Sequence, residues 1–130
     1  MTTDSRSNEI IELTQRLLDS ISQGDWAAYE KLCDPTLTAF EPEARGHLVT
    51  GMEFHKFYFD NLSHRMASNT TIAAPDVRFL GDEVAIICYV RLVQRMATDG
   101  TPGTSHYEET RVWQKQDGRW QHVHFHRSAP

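Results

Sequence analysis

Apolar residues at Ile10, Leu13, Leu17, Leu18 and Ile21 recur at three- and four-residue steps, the spacing that lines one face of a helix. The helix predicted from Asn8 has Glu9 and Glu12 near its positive end and Gly24 as a natural terminator. Asp25 is placed to cap a second, short helix carrying Trp26, Tyr29 and Leu32, which Asp34-Pro35 is expected to stop. A short strand over residues 37–41 precedes a turn at 42–46. A third helix over about 52–65 would bury an aromatic face of Phe54, Phe57, Tyr58 and Leu62.

The pattern then changes. Residues 70–80, 83–97, 105–116 and 119–127 are rich in β-branched and aromatic side chains. Gly81-Asp82, the run 99–103 and Asp117-Gly118 between them are turn chemistry, which predicts a meander of antiparallel strands. Helices first and strands later give an α+β domain with its helices on one face of a curved sheet. The strand from Val84 to Val93 is apolar on both parities, so both of its faces are expected to be covered.

Composition narrows the class. The chain has 130 residues, 39% of them hydrophobic and 24% charged, which fits one globular domain rather than a disordered or fibrous chain. A formal charge of −5 without a Lys/Arg run leaves no electrostatic footprint for nucleic acid or an anionic membrane. No apolar stretch approaches the ~20 residues of a spanning helix, and the polar start MTTDSRSNEI is not a secretory signal. Cys33 and Cys88 lack a paired-motif spacing and read as thiols of a reducing, cytoplasmic setting.

Three arginines stand out within the predicted strands. Arg91 lies inside the apolar strand, Arg111 repeats the anomaly in Thr110-Arg-Val-Trp113, and Arg127 ends the last strand. A guanidinium taken out of water costs several kcal/mol unless it is paired. Two arrangements answer that: three forks converging on a carboxylate or other small anion, or internal salt bridges to Glu41, Glu43, Glu108 or Glu109. Tyr29 and His55 lie on separate helices and each can point into the space between helix and sheet. His55 has the chemistry of a general acid or base, or of a buried histidine bonded to a carbonyl. Alternation places His122, His124 and His126 on one strand face, a weak zinc signal without further ligands nearby. No phosphate loop or nucleophile elbow is present, and no catalytic residue, metal ligand or cofactor is assigned.

Four strings carry a resemblance: Cys33-Asp-Pro-Thr-Leu-Thr-Ala-Phe-Glu-Pro-Glu-Ala44, Phe54-His-Lys-Phe-Tyr-Phe-Asp-Asn-Leu62, Glu108-Glu-Thr-Arg-Val-Trp113 and Val123-His-Phe-His-Arg-Ser128. In this order, across most of the chain, they resemble the association (hub) domain of calcium/calmodulin-dependent protein kinase II. The resemblance implies an NTF2-like (cystatin-like) cone, a long N-terminal helix plus two shorter helices packed in a curved antiparallel sheet. It implies a flexible N-terminus over 1–8 and a single hub domain over 9–128. It implies homo-oligomerisation of dimers into a two-tiered ring of about twelve to fourteen copies, with kinase hub domains as a further partner. It also implies a cavity that accepts a small carboxylate, lined by Tyr29, His55, Arg91, Arg111 and Arg127. The family's loop tryptophan is Ser63 here, and His122 stands at a usually aliphatic position. No kinase domain lies in these 130 residues, and the start MTTDS favours a free-standing relative. The alternative implied by the fold is a small NTF2-like isomerase or lyase with Tyr29 and His55 as acid and base.

Overall fold

The computed structural model describes residues 4–61 and 68–129. Helix α1, Ser5–Gln23, starts three residues before the predicted Asn8, because the Asp4 side chain accepts from the Arg6 N–H and caps it. It ends where expected, at Gly24, whose left-handed backbone (φ 70°) lets its N–H reach the carbonyl of Ile21. Its predicted face is inward: Ile10, Leu17 and Leu18 are wholly buried, with Thr14 and Ser20 beside them. The two hydroxyls meet no solvent and donate instead to carbonyls one turn back, Ile10 for Thr14 and Leu17 for Ser20.

Helix α2, Trp26–Leu32, is capped by Asp25, whose carboxylate accepts from the Ala28 N–H at 3.1 Å. The chain then passes straight into strand β1, Cys33–Phe40, so Asp34-Pro35 lies inside a strand rather than after a helix. The proline is tolerated there because the pairing of β1 is interrupted between Cys33 and Thr38, and no ladder bond needs its missing N–H. A single 3₁₀ turn, Pro42–Ala44, leads to the two-residue strand β2, Val49–Thr50. Helix α3, Glu53–Asn61, follows. The predicted continuation to 65, and Ser63 with it, lies outside the described residues.

Strands β3 (Ser68–Phe79), β4 (Val84–Met96), β5 (Pro102–Gln116) and β6 (Arg119–Ser128) form the expected meander. Asp117-Gly118, both at positive φ (51° and 79°), makes the tight β5–β6 turn that the sequence signalled. The sheet runs β2-β1-β6-β5-β4-β3. One pairing departs from the antiparallel expectation: β1 runs parallel to β6. The two are joined through most of the chain rather than by a hairpin, so no turn imposes opposite directions.

The α1 face closes over the inner surface of the sheet, where Ile87, Trp113 and Phe125 are buried. The Trp113 indole N–H donates to Thr14 Oγ1 at 3.1 Å and ties helix to sheet. The expectation that both faces of β4 are covered holds only inside. Ala85, Ile87, Tyr89, Arg91 and Val93 are buried, whereas Val84, Ile86, Val90 and Leu92 on the outer face are half-buried and Cys88 is exposed. No helix lies over that outer face among the described residues.

Candidate functional site

Inner-facing positions of β4 and β5 carry a buried ionic cluster. Glu109 is wholly buried between two guanidiniums: Arg91 Nη1 is 3.2 Å from its Oε2 and Arg111 Nη2 is 3.1 Å from its Oε1. The Tyr89 hydroxyl donates to Glu109 Oε1 and accepts from Arg111 Nε at 2.8 Å. Arg111 also donates through Nη1 to His122 Nε2 at 3.3 Å, and its guanidinium lies 4.5 Å above the Phe125 ring. A guanidinium can only donate, so His122 accepts at Nε2 and carries its hydrogen on Nδ1, which faces Cys33 Sγ at 3.5 Å. Burial would raise the Glu109 carboxyl, but Arg111, Arg91 and the Tyr89 hydroxyl outweigh it and hold it at about 2. Burial, with Arg111 and His55 nearby, keeps His122 neutral, far below the ordinary imidazole range.

Arg127 pairs with Glu43 in the 3₁₀ turn and covers the Tyr107 ring. The salt-bridge arrangement is thus the one present, with Glu109 serving Arg91 and Arg111 and Glu43 serving Arg127. Two carboxylates against three guanidiniums leave an excess of one positive charge.

Beside this cluster lies a cavity of about 350 Å³. Tyr29, His55, Arg111 and Arg127, four of the five residues the sequence singled out, line it. Arg91 does not: its guanidinium is held on Glu109, and Arg95, on the same parity of β4, lines the cavity instead. Tyr29 from α2 and His55 from α3 stand with ring centres 6.1 Å apart, 2% and 6% exposed. His55 is pushed down to about 4 by burial and by Arg111 and Arg127, so it is neutral near pH 7. Its Nε2 and the Nε of Arg127 are buried without a hydrogen-bond partner.

Sequence reading named Glu41 only as a salt-bridge partner of the arginines. It lines the cavity next to Glu43, with its side chain 5% exposed and Oε2 3.9 Å from His55 Nδ1. Burial and Glu43 raise its carboxyl to about 7, against the pull of Arg127 and Arg111. The Glu41-Pro-Glu43 spacing, two acids around the one proline of a turn, is the signal that places both at the cavity rim.

The histidines depart from expectation. His122 and Phe125 both face the core although they are an odd number of residues apart. The β5–β6 register slips between Val112 and Trp113, opposite His124 and His122, so Val123 is the extra residue of a bulge and parity flips. His124 and His126 therefore lie on the outer face, where His124 Nδ1 is 2.7 Å from Thr38 Oγ1. No group of three His, Cys, Asp or Glu side chains among the described residues is arranged to hold a metal.

A larger groove of about 610 Å³ runs between α1, α2 and the β5–β6 turn. Surface charges such as Glu9, Arg16, Lys31 and Arg119 line it, so the concentrated buried chemistry belongs to the smaller cavity.

The fold has known relatives. Residues 6–130 match the family described as the calcium/calmodulin dependent protein kinase II association domain. The chain belongs to that family. It is 54% identical over 127 residues to the calcium/calmodulin-dependent protein kinase type II alpha chain of Drosophila melanogaster, covering 96% of this chain and 24% of the relative. This association domain thus spans about a quarter of that relative's length. The hub homology domain of Chlamydomonas reinhardtii is 46% identical, with a TM-score of 0.92 over 96% of this chain and 98% of that one. An NTF2-like superfamily protein from Salmonella enterica, 21% identical with a TM-score of 0.79, covers 99% of this chain and 94% of its own and shares the fold. The match is to the association domain, which is not catalytic, and no kinase domain lies within the 130 residues. No helix of the described residues is long and apolar enough to cross a membrane.

Proposed function

We propose that this association domain assembles copies of itself into a two-tiered ring of about twelve to fourteen subunits, built from dimers. The observation that carries the reading is the outer face of β4, where Val84, Ile86, Val90 and Leu92 remain half-buried in the single protomer. An apolar stripe on the open face of an interior strand is the kind of surface that a second copy covers. Hub domains of a kinase are a further partner, supported by the 54% identity to the Drosophila chain. The two free thiols fit a cytoplasmic setting. Native mass in solution tests the assembly.

The same reading gives the cavity to a small carboxylate, with Arg111, Arg127, His55 and Tyr29 around it and Arg91 holding Glu109 in place behind them. The unmatched positive charge and the unpaired Nε2 of His55 and Nε of Arg127 support it. Thermal melts with sodium pentanoate or succinate are the test. A ligand that binds only the folded protein stabilises it by about 2.7 kcal/mol at a hundred times its Kd, which raises Tm by several degrees. Arg127→Ala should lose most of that rise, since its pair with Glu43 is partly exposed and contributes only about 1 kcal/mol or less to folding. Melts unmoved by either acid, or moved equally in the variant, would contradict the assignment.

A further inference from the structure

We infer that Glu41 is the proton-linked specificity residue of the cavity: an anionic ligand enters together with one proton, which Glu41 takes from solvent. The inference rests on the carboxylate reading of the cavity and goes beyond it, because it states what the site requires of the ligand and of the pH.

Charge is the first constraint on the cavity. Groups from every neighbouring element face Glu41: Glu43 beside it, His55 and Tyr58 from α3, and Tyr29 from α2. Arg95 of β4, Arg111 of β5 and Arg127 of β6 complete the surround, with Glu109 acting on it from β5. Arg111 and Arg127 already have carboxylate partners in Glu109 and Glu43. A ligand carboxylate arriving with Glu41 ionised adds a fourth acid beside Glu109, Glu43 and Glu41, and Glu41 would repel it at close range. Neutralising Glu41 removes the repulsion and leaves the charge of the filled cavity as it was when empty. Its carboxyl, raised to about 7, takes that proton near neutral pH, whereas His55, at about 4, stays neutral.

Tautomer geometry reinforces the charge argument. Oε2 of Glu41 is 3.9 Å from His55 Nδ1, and His55 Nε2 is the buried atom without a partner. While Glu41 is ionised, the imidazole hydrogen belongs on Nδ1, facing the carboxylate, and Nε2 presents a lone pair that an anion cannot use. Once Glu41 is protonated, its O–H donates to Nδ1 and the imidazole hydrogen moves to Nε2. That N–H is then a donor for the ligand carboxylate. The 3.9 Å separation is longer than a hydrogen bond and must shorten on binding, as such contacts do when a site fills. One proton is taken up per ligand and none is released. The cavity therefore selects acids that bind as anions in slightly acid or neutral solution and rejects them in base.

The experiment is titration calorimetry with sodium pentanoate between pH 6.5 and 8.5, in phosphate and in Tris, whose different protonation enthalpies reveal the protons exchanged. At pH 8 close to one proton should be taken up per ligand, with Kd weakening by about tenfold per pH unit above pH 7.5. Glu41→Gln, whose amide can donate, should bind with a Kd flat across the range and tighter than the unaltered protein at pH 8.5. Binding without proton uptake overturns the inference and leaves the carboxylate reading standing. A pH slope kept in Glu41→Gln but lost in His55→Gln assigns the proton to His55 and overturns it too. No binding of pentanoate at any pH, with melts also unmoved by either acid, overturns the carboxylate reading and this inference together.

Discussion

Glu109→Gln is expected to destabilise the protomer by about 3–5 kcal/mol, a large share of a typical folding free energy of about 5–15 kcal/mol. The change leaves Arg91 and Arg111, both nine-tenths buried or more, facing each other with no carboxylate between them. The depressed Glu109 carboxyl gives the same scale independently. An acid held at about 2 rather than its ordinary 4.5 contributes about 3 kcal/mol above pH 4.5, lost as pH falls through 2. Arg91→Met is the contrast. It keeps much of the side-chain volume and leaves Arg111 and Glu109 as a one-to-one pair, so its cost should stay below about 1.5 kcal/mol. Urea midpoints measure both. A Glu109→Gln midpoint close to that of the unaltered protein, or an Arg91→Met loss equal to it, would mean that Glu109 does not hold the cluster together.

Acid should unfold the protein well before its carboxylates are all protonated. His55 and His122 are buried and neutral, with folded pKa values below their unfolded 6.5. As pH falls through 6.5 the unfolded chain takes up protons that the folded one refuses, so stability drops. For His55, held at about 4, the loss amounts to about 3 kcal/mol by pH 4, and His122 adds a loss of the same sign. Glu41 works the other way. Its folded pKa of about 7 exceeds the unfolded 4.5, so it contributes stability that grows as pH falls from 7 to 4.5 and offsets about one histidine. Stability should therefore decline gently from pH 6.5 to 4.5 and steeply below, where Glu41 has no more to give and the unfolded chain protonates Glu109 while the folded one still keeps it ionised. His122→Gln retains an acceptor for Arg111 and cannot ionise, so it should move the acid midpoint down by several tenths of a pH unit or more. Glu41→Gln, the neutral counterpart of the protonated acid, should leave the acid midpoint in place and instead raise stability above pH 7, where the ionised Glu41 is costly to bury. Far-ultraviolet circular dichroism against pH reads the midpoints and urea melts at pH 8 the second effect; an acid midpoint unchanged in His122→Gln, or a Glu41→Gln protein no more stable at pH 8, would contradict these assignments.

The sequence announced features that depend on near neighbours. The inward face of α1 follows from 3.6-residue spacing, Gly24 from its chirality-free backbone, and the β5–β6 hairpin from Asp117-Gly118. Arg91 was visible as an anomaly because it sits on a parity filled by Ala85, Ile87, Tyr89 and Val93, and Arg111 because it stands beside Val112 and Trp113. What stayed hidden depends on register between distant segments. Val123 adds one residue to β6, so His122 turns to the core while His124 and His126 face out, a reversal that strict alternation cannot foresee. β1 lies beside β6 by tertiary packing alone, and that neighbour relation brings Cys33 to His122 and Glu43 to Arg127. The choice between a vacant anion site and internal salt bridges turned on which glutamate reached which arginine. Composition leaves that open; the facing of Glu109 and Arg111 on one strand face decides it. Glu41 gained its importance only when α3 brought His55 against it.

Native mass at micromolar concentration, by light scattering on a sizing column, reads the ring assembly itself. A ring should weigh roughly 180 kDa or more, about twelve copies of the 15.0 kDa chain. Val90→Glu, which places a charge on the uncovered face of β4, should break that assembly into small species that keep their secondary structure. A monomer or dimer of the unaltered chain at that concentration would contradict the ring.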